Sequence, residues 1–244
     1  MGQIGDAERG RQAGEMTPLI LIPGMMCDAR MWGGFDAGPR QMLHFLPTGQ
    51  DNVAALAAAF LQNAPERFAL AGLSMGGIVA MEILSQAPER VERLALLDTN
   101  PLAETPEAKE RRGPQMAKAQ NGELEAVLRD EMKPNYLASG PHKKSILDLC
   151  MDMALSLGPD VFVRQSLALR NRPDQTKTLS LFKGPALVLM GEEDKLCPRD
   201  RHELMHALMP QSKLAIIARA GHLPPLENPE ATFAHLRNWL STPE

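Results

Sequence analysis

A chain of 244 residues, 44% apolar and 23% charged, can bury one sizeable core and has the balance of an ordinary globular domain. Its 26 basic and 30 acidic residues leave a net charge of −4, so there is no bulk electrostatic case for nucleic acid or an anionic membrane as partner. The 3 cysteines (Cys27, Cys150, Cys197) lack CxxC spacing, and no signal-peptide core or membrane-length apolar run is present, which points to a reducing, cytoplasmic location.

In chain order, residues 1–16 are polar and Gly-rich without hydrophobic period, and are expected to be a disordered tail. Residues 18–22 (PLILI) read as a first buried strand, ending in the turn Pro23-Gly24-Met25. Residues 42–46 predict a second strand, 52–63 a helix, 68–73 a third strand running into a helix over 75–86, and 93–97 a fourth strand. The pattern resumes with a strand over 186–190, a helix over 199–209, a strand over 214–218 and a terminal helix over 229–240. Short apolar runs alternating with helices imply βαβ units and a mainly parallel sheet covered on both faces.

Between Asp98 and Lys183 this rhythm stops. Leu124, Val127, Leu128 and Met132 share one helical face, as do Ile146, Leu149, Cys150, Met153 and Leu157, and prolines divide the stretch into short helices. The reading is a helical cap over 101–182, inserted into an α/β core made of 17–100 and 183–244.

The chemistry concentrates in three places. Gly72-Leu73-Ser74-Met75-Gly76 is a G-x-S-x-G pentapeptide between a strand and a helix, where a sharp turn lifts the hydroxyl clear of the sheet at a helix N-terminus. A serine hydroxyl needs a base, and of 6 histidines only His222, in Ala220-Gly221-His222-Leu223-Pro224-Pro225, stands in a loop beyond the last strand. The base needs an acid, and Gly191-Glu192-Glu193-Asp194 puts carboxylates beyond the fifth strand; Asp194 is the first choice and Asp98, at the end of the fourth strand, the alternative. A competing signal is His202-Glu203-Leu204-Met205-His206, which matches the HExxH zinc helix; the apolar stripe of Leu204, Ala207 and Leu208 is expected to turn those histidines to solvent.

With GLSMGG at 72–77, GEEDKLCP at 191–198, AGHLPPLENP at 220–229 and the early turn at 21–25, the chain resembles the α/β-hydrolase superfamily in its esterase-like branch, over about residues 17–241. The chain order Ser74, Asp194, His222 is that of the family. The resemblance implies a catalytic triad of those three residues, an oxyanion hole from the backbone N–H groups of Met25 and Met75, and an acyl-enzyme route with no cofactor and no metal. The implied partner is a small or medium apolar acyl substrate (ester, thioester or lactone), with pocket surface from Met25, Met26 and Met75 and from Met116, Met132, Met151 or Met153. Lyases, C–C bond hydrolases and ligand receptors of the same superfamily stay open, as does the oligomeric state. The chain departs from the family in having Pro23-Gly24 where His-Gly is frequent, and in a short 32–51 interval, which predicts a reduced element near 33–41.

Overall fold

The alternation within the first apolar run sets the layering. In a computed structural model that describes residues 16–243, Leu19–Ile22 forms β1 and is buried on both faces. Leu19 and Leu21 join one hydrophobic cluster while Ile20 and Ile22 join another, as the two-residue period of a strand requires. The expected tail, apart from Met16, lies outside the described residues.

Five further strands follow: β2 (Met42–His44), β3 (Phe68–Leu73), β4 (Val91–Leu97), β5 (Ala186–Gly191) and β6 (Lys213–Ile217). They form one sheet in the order β2-β1-β3-β4-β5-β6, with every pair parallel. The central strands β3, β4 and β5 are wholly buried, whereas β2 lies half exposed at one edge. β2 stops short of the predicted residue 46; Phe45 N–H still reaches Leu21 O at 3.0 Å, but Pro47 has no N–H to continue the ladder. Residues 33–41 contain only turns and extended chain, in keeping with the reduced element expected there.

Helices α1 (Val53–Leu61) and α2 (Met75–Gln86) cover the face that carries Ile20 and Ile22. Between β4 and β5 lie α3 (Pro106–Lys118), the short α4 (Leu124–Ala126) flanked by π-helical turns, the long α5 (Lys143–Arg170) and α6 (Thr176–Leu181). Gly122 and the Gly158-Pro159 step break this run. Its apolar stripes do not form a core of their own: Leu124, Val127 and Leu128 join the cluster on the α2 face, and Ile146, Cys150 and Met153 the cluster on the opposite one. Met116 and Met153 are buried there too, each such side chain contributing about 1.5–3 kcal/mol. The chain ends with α7 (Arg199–Leu208), α8 (Pro224–Glu227) and α9 (Pro229–Leu240). Among the described residues, no helix is long and apolar enough to cross a membrane.

α2 and β1 approach each other with no room for a side chain between them. A Cβ placed on Gly76 would stand 2.0 Å from Ile22 O and 2.7 Å from Pro23 O, both backbone atoms at the end of β1. Gly76→Ala is therefore expected to cost at least about 1–3 kcal/mol, lowering Tm by roughly 5 °C or more. Gly49→Ala, whose Cβ meets nothing within 4 Å, serves as the control. Equal melting temperatures for the two variants in calorimetry would contradict this packing account.

Candidate active site

β3 delivers Ser74 at its carboxyl end in a conformation that few non-glycine residues adopt, φ 54° and ψ −117°. Four hydrogen bonds hold it there. Ser74 N–H donates to Leu97 O of β4 at 2.9 Å, and Ser74 O accepts from Thr99 Oγ1 at 2.7 Å, Gly77 N–H at 3.0 Å and Ile78 N–H at 3.2 Å. The side chain is thus free of capping duty, and α2 begins without a side-chain cap.

The hydroxyl instead meets His222. Nε2 lies 2.9 Å from Ser74 Oγ, and Nδ1 lies 2.9 Å from Asp194 Oδ2. With Nδ1–H donating to Asp194, Nε2 is left as the acceptor for the serine proton. Asp194 is buried, and its other oxygen accepts from Leu196 N–H at 2.8 Å and Cys197 N–H at 3.2 Å. Burial pushes its carboxyl up, but the charge and hydrogen bond of His222 and those two N–H groups outweigh this and hold it below the usual carboxylate range. Glu192 and Glu193, in the same loop, point to solvent.

Asp98 does not reach His222 through a hydrogen bond. Its Oδ1 accepts Gly191 N–H at 2.8 Å, so it braces the loop that carries Asp194. It is completely buried, and burial first, then the charge of Asp194, push its carboxyl well above the ordinary range. Two adjacent carboxyls are thereby distinguished, with charge favoured on Asp194 and disfavoured on Asp98.

The turn after β1 closes the other side. A Cβ on Gly24 would sit 3.5 Å from Ser74 Cβ, so the backbone at Gly24 and Met25 runs beside the hydroxyl. Met26, at φ 55°, donates its N–H to Gln165 Oε1 at 2.8 Å, and Gln165 Nε2 donates to Pro47 O at 3.0 Å. The N–H groups of Met25 and Met75 donate to no protein acceptor among the described residues, as befits a helix start and a tight turn.

Two features lay outside the sequence reading. Glu227 gathers the histidine loop: its carboxylate accepts Gly221 N–H at 2.9 and 3.0 Å, Leu223 N–H at 2.9 Å, and Ala138 N–H at 2.7 Å. His222 N–H itself donates to Tyr136 O at 2.7 Å, and the segment 136–138 lies so close to Gly221 that a Cβ there would be 2.7 Å from Ala138 N and from Tyr136 O. The HExxH reading of exposed histidines is corrected: His202 is fully buried, because Met205 rather than Leu204 leads the inward face of α7. Its Nε2 accepts Thr99 N–H at 3.3 Å, while His206 Nδ1 pairs with Ser212 Oγ at 2.7 Å. Among the described residues, the group whose donor atoms lie close enough to share an ion is Asp194, Cys197 and His222, which is this same site and not the histidine pair.

Residues 19–236 match the model of the alpha/beta hydrolase family. The chain belongs to that family. A thermophilic esterase from Thermogutta terrifontis is 29% identical and superposes with a TM-score of 0.79, covering 93% of this chain and 90% of that one. An enol-lactonase from Burkholderia xenovorans superposes with a TM-score of 0.81 at 19% identity, covering 96% and 94%, and shows the shared fold. An uncharacterized hydrolase of Bacillus subtilis is 26% identical over 200 residues, 78% of this chain and 71% of its own length. In this alpha/beta hydrolase Ser74 sits where β3 meets α2, and Asp194 and His222, which line up with it, stand in the loops after β5 and β6.

Glu227→Gln keeps one carbonyl acceptor but turns an NH2 toward N–H donors. It is expected to lower kcat about 10-fold or more with a smaller change in KM, since it displaces His222 rather than a binding surface. An unchanged kcat would show that the clamp is dispensable. Burial pulls the His202 pKa down to about 4, whereas an unfolded histidine titrates near 6.5. The unfolded chain then takes up the proton first, so this stability is complete above about pH 6.5 and is lost as pH falls toward 4. Urea denaturation at pH 7 and pH 5 should show the wild type losing up to about 2 kcal/mol more than His202→Gln. Equal losses would place the ring in a different state.

Proposed function

We propose that this alpha/beta hydrolase is a serine hydrolase that cleaves a small or medium carboxylic ester, thioester or lactone through an acyl-enzyme. The observation that carries the reading is the unbroken line Ser74 Oγ, His222 Nε2, His222 Nδ1, Asp194 Oδ2, with 2.9 Å at each junction. Ser74 attacks the acyl carbon while His222 takes its proton, and the resulting imidazolium is stabilised by ionised Asp194. The tetrahedral oxyanion is received by the N–H groups of Met25 and Met75, a pair whose members are each worth about 2.7–4 kcal/mol of barrier in comparable sites. His222 then returns the proton to the leaving group and activates water to release the acid.

The helical interval 101–182 acts in this reading as the cap over the site, with Tyr136 and Gln165 touching the histidine loop and the oxyanion turn. The esterase activity named for the Thermogutta relative and the lactonase named for the Burkholderia one support carbonyl-ester chemistry as the class to test first.

A fluorophosphonate probe should label the wild type and leave Ser74→Ala unlabelled, with hydrolysis of short p-nitrophenyl esters falling at least about 10³-fold. Asp194→Asn should cost about 10⁴-fold, because the wrong tautomer is then favoured. Folded protein that neither labels nor turns over esters would point to a lyase or receptor role on the same frame.

A further inference from the structure

Lys133 opens the 3₁₀ turn that leads into Tyr136, and it is buried to 3% exposure. Its Nζ has no hydrogen-bond partner and no carboxylate within ion-pair distance among the described residues. A buried ammonium without a partner is rare, because losing water costs several kcal/mol unless a counter-charge or hydrogen bonds replace it. Its one compensating neighbour is the face of the Tyr136 ring, 4.8 Å from Nζ to the centroid, and a π face leaves its N–H donors unsatisfied.

The position is close to the chemistry. Tyr136 packs its ring 5.7 Å from the His222 ring and accepts the His222 N–H. The Lys133 charge is also felt by Cys27, at the end of the turn that carries Met25, and by Cys150 of α5. None of these groups can serve as its counter-ion at neutral pH. Burial pushes the Cys27 thiol up to about 12, and raises the Cys150 thiol and the Tyr136 phenol as well, so all three stay protonated. Asp28, which also faces Cys27, is committed to Arg30.

We propose that Lys133 is a specificity residue that receives an anionic group of the substrate, so that the preferred substrates are esters or lactones carrying a carboxylate a short chain away from the scissile carbonyl. The inference rests on the serine-hydrolase reading of the same site and narrows it from apolar acyl groups to monoanionic ones. Lys133 lies over one aromatic ring, Tyr136, that packs on the His222 ring and whose carbonyl holds the His222 N–H, so a buried cation without a counter-charge among the described residues stands one side chain away from the base.

The test compares p-nitrophenyl half-esters of succinate, glutarate and adipate with the chain-matched butanoate, pentanoate and hexanoate. The wild type should favour a half-ester in kcat/KM. Lys133→Met should reduce that ratio about 10- to 100-fold, chiefly through KM, and Lys133→Arg should keep part of it. No preference in the wild type, or a preference that survives Lys133→Met, overturns the assignment. Failure of the hydrolase reading shows separately, as absence of Ser74-dependent turnover of any ester. Binding then supplies the answer without chemistry: monomethyl glutarate titrated calorimetrically into Ser74→Ala should bind, and should not bind when Lys133→Met is added. Absence of binding to Ser74→Ala, or equal binding by both proteins, refutes the assignment.

Discussion

The site depends on the backbone of one residue. Ser74 at φ 54° stores strain of order 1–3 kcal/mol, and such a conformation persists only where its surroundings over-determine it. Here the N–H is tied to β4, the carbonyl takes three donors, and the following helix is pressed against the end of β1 at Gly76. The strain is thereby offset by the centre of the sheet, its best-buried region. In return the hydroxyl is lifted out of the sheet and away from capping α2, into the reach of His222.

Electrostatics then distinguishes residues of the same type by surroundings alone. Asp194 and Asp98 both follow strands and both are buried, yet one accepts hydrogen bonds from His222 and two backbone amides while the other has a single amide and a bare oxygen. Charge is favoured on the first and disfavoured on the second. Asp98 braces the Gly191 turn through Oδ1, while burial and the nearby Asp194 disfavour a second negative charge beside the imidazole. His202, behind them, is likewise kept uncharged by burial.

The helical interval does more than cover the sheet. Gln165 of α5 holds the turn after β1 against the 46–48 segment, and Tyr136 and Ala138 are stitched to the histidine loop directly and through Glu227. Movement of this interval is therefore mechanically coupled both to the turn after β1 and to the histidine loop. Lys133 belongs to the same segment, so the group assigned to the substrate anion and the backbone that fixes His222 are three residues apart.

Local pattern was enough for the framework. Six apolar runs became six parallel strands, and the helices over 75–86 and 229–240 end where their periodicity ends, because a strand or helix records its buried face in its own spacing. Ser74 was legible for the same reason, since the motif, the strand before it and the helix after it are contiguous. For the partner of His222 the sequence put Asp194 first but left Asp98 open, because both acids end neighbouring strands and only the packing of the β5 and β6 loops brings one of them to Nδ1. The α7 histidines were misread because the weak stripe of Leu204, Ala207 and Leu208 is not the inward face once Thr99 and Met205 are in place. Glu227, Gln165 and Lys133 look in sequence like surface helix or turn residues. Their roles depend on segments far away along the chain, and periodicity reports only which face of an element is apolar, never what a polar group on that face will meet.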